Sequence, residues 1–188
     1  MEFKINRKIN PDKKFFNFIM RTRLRYNDEG NIKHCLDEGR NTYHIPIKPK
    51  VVIDIGANIG CISLIAASRG AKVYAFEPEE SSFNILCHNV EVNGFKDKIN
   101  CIKKGVGKAD KETKLFIHPR NSGATSSYLI INGLGEDRSN IVEFISIKDV
   151  FNNYNIEHCD LLKLDCEGSE KDIIEDLDDE LINKIDQI

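Results

Sequence analysis

The sequence predicts an α/β protein in which a mostly parallel sheet is covered by helices on both faces. Two observations support this class. From Lys50 onward, short apolar segments alternate with longer amphipathic ones, which is typical of parallel sheets. The first apolar segment, 51–55, runs directly into a turn that contains Gly56 and Gly60, and such a turn lies at the carboxyl edge of a parallel sheet.

Composition narrows the class of protein. At 188 residues, with 40% hydrophobic content, the chain has the usual size of one domain with its own core. The 27 basic and 30 acidic side chains give a net charge of −3, which excludes a strongly basic whole-surface nucleic-acid binder but leaves a local patch open. The six cysteines form no CxxC pair and no export signal precedes them, so we expect reduced thiols in a cytoplasmic protein without a membrane span.

Residues 1–49 form a polar, basic extension ahead of the predicted domain at 50–188. We expect this extension to be helical in part, because four apolar side chains could share one helical face. They are Phe15, Phe16, Ile19 and Leu24.

Within the domain, the pattern predicts a strand at 51–55, a helix near 59–69, a strand at 72–77 and a helix at 79–93 that ends before Gly94. The later elements are less regular, because two strands flank a polar loop and suggest an antiparallel excursion. In chain order they are strands at 98–106, 114–118 and 141–147, a helix at 148–154, a strand at 159–165, a helix at 167–177, and the approach to another strand at 182–188.

The turn after the first strand carries the strongest chemical signal. Gly56 and Gly60 would let a ligand approach the backbone closely, and Asn58 tolerates unusual backbone angles. Glu77 ends the next strand, about 20 residues beyond the first glycine, where an acid meets a ribose hydroxyl pair in nucleoside-binding folds. Together these residues indicate a cofactor that contains a nucleoside.

The glycine spacing selects among such cofactors. Dinucleotide sites use G-x-G-x-x-G to hold a pyrophosphate, but here Ala57, Asn58 and Ile59 separate the two glycines. The following helix also begins without a lysine that could hold a phosphate. A phosphate-free nucleoside such as S-adenosylmethionine fits this turn better.

Three segments in combination resemble the FkbM family of class I methyltransferases: "VVIDIGANIGCISLIAASRG", "KVYAFEPEESSFNILCHNVEVNG" and "LLKLDCEGSE". The resemblance covers residues 50–177. It implies a Rossmann-like sheet, S-adenosylmethionine as methyl donor, and methylation of a hydroxyl on a sugar or another small molecule. The family's last strands would lie beyond "IDQI", so we expect this chain to lack the C-terminal strands.

The resemblance also implies which residues meet the cofactor. The methionine part would be surrounded by residues of the glycine turn, the ribose by the acid of the second strand, and the adenine by residues after the third strand. In that order they are Asp54, Gly56, Asn58 and Gly60, then Glu77, then Gly105 and Val106.

Removal of the acceptor proton calls for a general base. Asp165 and Glu167 follow the fourth parallel strand, which opens on the acceptor side, and they are the candidate catalytic residues. Glu170 is equally suited to the first turn of the next helix, and Lys163 could pair with one of the acids. The loop 121–127 could contact a polyol or be an ordinary hairpin loop. His118 and Cys166 are better explained as a strand-end histidine and a packed thiol than as a base and a nucleophile, and no metal site is expected.

Other functions remain open at this point. An RNA methyltransferase could use the basic stretch within residues 4–25, although "DCEG" stands where base-amine methyltransferases carry an Asn/Asp-Pro-Pro-aromatic run. A non-catalytic module of the same fold could bind cofactor or a partner protein without turnover. An NAD-dependent dehydrogenase is disfavoured by the glycine spacing. We expect a small-molecule or glycan acceptor rather than nucleic acid.

Overall fold

A computed structural model describes residues 12–15, 17–23, 27–36, 44–107, 112–116, 139–166 and 168–188. Its centre is a four-stranded parallel sheet. The strands are β3 (Val51–Ile55), β4 (Lys72–Phe76), β5 (Ile99–Ile102) and β9 (Leu161–Leu164), and they lie in the order β5-β4-β3-β9. The predicted α/β class with a parallel sheet is confirmed.

Helices connect the strands much as the sequence predicts. α2 (Cys61–Ser68) joins β3 to β4, and α3 (Glu80–Val92) joins β4 to β5. Side chains alternate along each strand, so that Val52 enters the core beneath α2 and α3 while Ile53 enters the core on the other face. That second core holds α4 (Ile147–Asn153), α5 (Glu170–Asp176) and the short α6 (Asp179–Ile182).

The chain order creates a switch point in the sheet. From β3 the chain adds β4 and β5 on one side, and β9 later pairs with β3 on the other side. Ile55 is in register with both Phe76 and Leu164, so the three strands end at one edge. Ligands of open α/β sheets bind in the crevice outside such a point.

The predicted third strand at 98–106 is wrong in part, because it divides into two strands. After β5, residues Gly105–Val106 form β6, which pairs in parallel with β8 (Ser139–Ile145). β8 also pairs antiparallel with β7 (Glu112–Phe116), which confirms the antiparallel excursion. At the end of the chain, Ile185 bridges in parallel to Cys159, in agreement with the predicted approach to a further strand.

The predicted helical face in the N-terminal extension is wrong. Lys13–Phe15 (β1) and Phe18–Met20 (β2) form an antiparallel hairpin, while Phe16 and Leu24 lie outside the described residues. Phe18 and Met20 are buried and Ile19 between them is 45% exposed, which is the two-residue period of a strand. Helix does occur in this part of the chain at α1 (Asp28–Leu36).

The N-terminal segment packs onto the domain. Met20 and Ile32 are fully buried in the same core as Val52, Leu64 and Leu86. The division of the chain into an extension and a domain at residue 49 remains a prediction. Such a division would separate side chains that pack in one core.

Candidate functional site

The turn after β3 is built from three residues in the left-handed backbone region. The φ angles of Gly56, Asn58 and Gly60 are 73°, 52° and 94°. The backbone N–H groups of Gly56 and Ala57 both donate to the carbonyl of Phe76, at 3.0 and 2.9 Å, and so tie the turn to the end of β4. Glycine and asparagine adopt such angles more readily than other residues, which explains their positions here.

Packing adds a second reason for both glycines. A Cβ on Gly56 would lie 2.0 Å from the carbonyl oxygen of Asp165, and one on Gly60 would lie 2.7 Å from Cδ1 of Leu86. The absence of a side chain at Gly56 therefore allows the turn after β3 to touch the backbone that follows β9. The predicted approach of a ligand to these glycines stays a prediction.

Glu77 directly follows β4 at the switch point and is almost completely buried. Its Oε2 accepts the backbone N–H of Asn58 and its Oε1 accepts that of Glu79, both at 2.8 Å. Burial raises the pKa of Glu77 to about 7, against the lowering effect of these N–H groups and of the Arg23 charge. Since each carboxylate oxygen offers two acceptor positions, both oxygens can still receive a hydroxyl donor.

Asp54 is fully buried beneath the turn. Its Oδ2 accepts a hydrogen bond of 2.6 Å from the Ser63 hydroxyl, and its Oδ1 lies 3.1 Å from Nζ of Lys163 in an ion pair. Lys163 also donates to the carbonyls of Ile55 and Gly56, at 3.1 and 2.8 Å. Burial lowers the pKa of Lys163, but the charges of Asp54 and Asp165 outweigh it and raise the pKa overall. This buried pair supports the turn from below.

Asp165 and Glu170 follow β9 but have different environments. The Asp165 side chain is 46% exposed, and its Oδ2 lies 3.9 Å from Nζ of Lys163. The Glu170 carboxylate accepts the N–H groups of Cys166 and Gly168, both at 2.8 Å. Burial raises the pKa of Glu170, but the hydrogen bonds that it accepts lower the pKa by more, so the net shift is downward. The acid therefore holds the loop, as its position in the first turn of α5 suggests. Glu167 lies outside the described residues.

The other predicted candidates are less prominent. Cys166 accepts a hydrogen bond of 3.1 Å from the Ser169 hydroxyl, and burial raises the pKa of its thiol to about 12, as expected for a packed thiol. Gly105 and Val106 are buried in β6, where a Cβ on Gly105 would lie 2.6 Å from the ring of Phe144. Their contact with an adenine stays a prediction. His118 and the loop 121–127 lie outside the described residues.

Sequence reasoning missed Arg23. This side chain is buried, and its Nη2 donates to Oδ1 of Asn58 at 2.8 Å. The basic segment "RTRLRY" contains the residue, but no local pattern distinguishes it from its neighbours Arg21 and Arg25. Only the fold brings together two residues that are 35 positions apart in the chain.

Among the described residues, one group could hold a metal ion: His158, Asp160 and Asp186. His158 and Asp160 precede β9, and Asp186, which follows α6, lies beside them because its backbone N–H donates to the carbonyl of Cys159 at 3.0 Å. His158 Nε2 lies 3.0 Å from Oδ2 of Asp186, and Oδ2 of Asp160 accepts the N–H groups of Lys50 and Val51. These contacts give all three side chains a structural role, and the expectation of no metal stays a prediction.

No helix in the described part of the chain is long and apolar enough to cross a lipid bilayer.

Comparison with known proteins identifies relatives. The family model described as the methyltransferase FkbM domain matches residues 54–188. Methyltransferase 1 of Beauveria bassiana is 24% identical over 161 residues, which cover 73% of this chain and 62% of that protein. Methyltransferase sdnD of Sordaria araneosa is 25% identical over 177 residues, which cover 78% of this chain and 66% of that protein.

This chain therefore spans less than two thirds of the length of each of these two relatives. Among solved structures, the SAM-dependent methyltransferase from Agrobacterium tumefaciens matches with a TM-score of 0.38 and 15% identity, over 50% of this chain and 32% of that one.

Proposed function

This chain belongs to the methyltransferase FkbM family, and on that premise we propose that it transfers a methyl group from S-adenosylmethionine to a hydroxyl of a sugar or another small molecule. One observation supports the proposal most strongly. The glycine turn after β3 and the half-exposed Asp165 after β9 meet at the switch point of the sheet, close enough that the Gly56 backbone touches the Asp165 carbonyl.

The residues of the crevice fit S-adenosylmethionine. The turn would surround the methionine part, through the backbone of Gly56, Asn58 and Gly60. Asp54 would support this turn from below, since its carboxylate is fully buried and faces Ser63 and Lys163. Glu77 would bind the ribose diol, because each of its oxygens is engaged by one backbone N–H and retains a second acceptor position.

The bound cofactor supplies a methyl carbon that its sulfonium makes electrophilic. The protein then has two tasks: to hold the acceptor hydroxyl in line with that carbon and to accept its proton. We assign the second task to Asp165, and the exposure of its carboxylate beside the turn supports this choice, whereas Asp54 is enclosed. Glu167 stays a second candidate for the base.

Calorimetric titration with S-adenosylhomocysteine tests the proposal, with NAD as the control ligand. We expect micromolar binding of S-adenosylhomocysteine and none of NAD. A folded sample that binds neither would overturn the proposed function, and one that binds NAD alone would replace it with a dehydrogenase.

Catalysis is tested by release of S-adenosylhomocysteine in the presence of a panel of monosaccharides and other hydroxylated small molecules. With an acceptor from this panel, Asp165→Asn should reduce turnover roughly 10²–10⁴-fold while cofactor affinity stays within about twofold. Glu157→Gln is the matched control, since this exposed acid precedes β9 at the opposite edge of the sheet. If no acceptor of any class leads to release of S-adenosylhomocysteine, the result would favour the non-catalytic binding module.

The RNA methyltransferase alternative loses part of its support. The basic stretch within residues 4–25 was its proposed phosphate contact, yet three of its described side chains are engaged by carboxylates and so offer less charge to phosphate. The pairs are Lys13 with Glu29 at 2.6 Å, Arg21 with Asp12 at 2.8 Å, and Arg23 with Asp28 at 2.7 Å.

A further inference from the structure

We propose that Arg23, from the segment that precedes the matched family domain, is a positioning residue that pre-orders the cofactor turn through Asn58. The inference rests on the proposed function, since it assumes that this turn binds S-adenosylmethionine. It adds to the site a residue 31 positions before residue 54, where the family match begins.

The guanidinium of Arg23 makes directed contacts to several elements. The side chain is 1% exposed. Nε and Nη2 donate to the two carboxylate oxygens of Asp28, at 2.9 and 2.7 Å, and Nη1 donates to the Ser82 hydroxyl at 2.6 Å. Nη2 also donates to Oδ1 of Asn58 at 2.8 Å, and Nη1 lies 3.7 Å from Oε2 of Glu79. One planar group thus links α1, α3 and the turn after β3.

The pair with Asp28 explains the burial of the charge but not the direction of the remaining donors. Asp28 already accepts a bidentate pair and, in addition, the backbone N–H of Arg23 at 2.7 Å. The fork of the guanidinium is rigid, so fixing two donors on Asp28 also fixes the donor that points to Asn58. Asp28 and Arg23 therefore form a rigid support against which the turn rests.

Asn58 is held at both ends. Its backbone N–H donates to Oε2 of Glu77, and its side-chain oxygen accepts from Arg23. Its φ of 52° is one that non-glycine residues rarely adopt, so an unsupported turn would have other conformations available. When such a loop is ordered before the ligand arrives, less conformational entropy is lost on binding.

Arg23 also contributes charge to the ribose-binding carboxylate. The groups that face Glu77 are the carboxylate of Glu79, the guanidinium of Arg23 and the N–H groups of Asn58 and Glu79. Burial and Glu79 raise the pKa of Glu77, and Arg23 lowers it. Hydroxyl donors bind best to an ionised carboxylate, so affinity for the ribose should rise with pH as Glu77 ionises around its pKa of about 7.

Four variants test the proposal by calorimetric titration with S-adenosylhomocysteine. Arg23→Lys keeps the charge but loses the fork, and we expect about tenfold weaker binding. Arg23→Met loses both the charge and the fork. Because the Arg23 charge lowers the pKa of Glu77, the midpoint of the pH dependence of affinity should also shift upward in this variant. Asn58→Gly removes the side-chain acceptor and tolerates the backbone angle. Ser82→Ala removes a different Arg23 hydrogen bond and should leave the affinity within about twofold.

The double variant Arg23→Lys/Asn58→Gly separates positioning from general destabilisation. If Arg23 acts through Asn58, the lysine substitution should weaken binding no further once the asparagine side chain is gone. Equal affinity of the wild type and Arg23→Lys, or full additivity of the two substitutions, would overturn the inference. Absence of binding by the folded wild type would instead refute the proposed function on which it rests. If the Arg23 variants fail to fold, an affinity of Asn58→Gly equal to that of the wild type would still overturn the inference about Arg23.

Discussion

At Gly56 the turn after β3 touches the backbone that follows β9. Both its φ of 73° and the position of the Asp165 carbonyl, 2.0 Å from where a Cβ would be, exclude a side chain. The neighbouring atom belongs to a backbone that β9 holds in place, so it cannot move aside as a flexible side chain would.

Replacing Gly56 by alanine should therefore destabilise the protein strongly. We expect the free energy of unfolding to fall by about 3 kcal/mol, of which about 1 kcal/mol arises from the backbone angle and the rest from the clash. Gly94→Ala is the matched control, because Gly94 has the same φ of 73° but open space around its Cβ position. Chemical denaturation measures both, and equal losses would show that the contact with Asp165 contributes nothing.

Glu77 makes stability depend on pH. Its pKa is raised from the usual 4.5 to about 7, so between these values the folded state keeps a proton that the unfolded state releases. Stability from this group is therefore greatest at low pH and is lost as pH rises through that range, by roughly 3 kcal/mol in total. The difference in free energy of unfolding between wild type and Glu77→Gln should follow this trend. A difference that is flat from pH 4.5 to 7 would contradict it.

At the scale of elements, two asparagines at the C-terminal end of α3 bind the N-terminal segment, and one of them, Asn89, also reaches the glycine turn. Asn89 accepts the N–H of Arg21 at 2.7 Å and donates to the carbonyl of Ile59 at 2.9 Å, from a fully buried position. Asn93, one turn later, accepts the N–H of Ile19 at 2.9 Å in an exposed position. Side-chain amides at this end of the helix thus hold backbone groups of the segment that precedes the central sheet.

Burial should separate the effects of these two asparagines. Asn89→Ala leaves buried backbone groups without partners, and we expect a loss of about 2 kcal/mol in the free energy of unfolding. Asn93→Ala should lose less than about 1 kcal/mol, because water can replace its contacts. Thermal and chemical denaturation of the two variants provide the comparison, and the reverse order would show that the hairpin is held by other contacts.

At the scale of the whole molecule, the N-terminal segment and the domain share one core. A chain that begins at Lys50 would lack the buried side chains of Met20 and Ile32 and the support of Arg23. We expect its free energy of unfolding to fall by at least about 3 kcal/mol, at roughly 1.5 kcal/mol or more for each apolar side chain.

The matched control is a chain that begins at Asp12, which keeps all three residues. Thermal unfolding and titration with S-adenosylhomocysteine should both distinguish the two chains. If the shorter chain were as stable as the control, residues 50–188 would be an autonomous domain and the preceding segment a true appendage.

The sequence was sufficient for features that depend on local order. β3, α2, β4 and α3 follow from periodicity and glycine positions, and the turn and Glu77 follow from their distance along the chain. Parallel strands in register then bring their ends to one edge, so Asp165 could be placed near the turn without coordinates.

Tertiary structure decided the features that depend on distant partners. The spacing of Phe15 and Ile19 suits a helix, but the segment forms a hairpin in which side-chain amides of α3 bind its backbone. The third strand divides because Gly105 and Val106 find their partner in β8. Arg23 reaches Asn58 only after folding. Hydrogen bonds and ion pairs between remote residues leave no periodic trace in the chain, so the sequence determined the glycine turn and the fold determined what supports it.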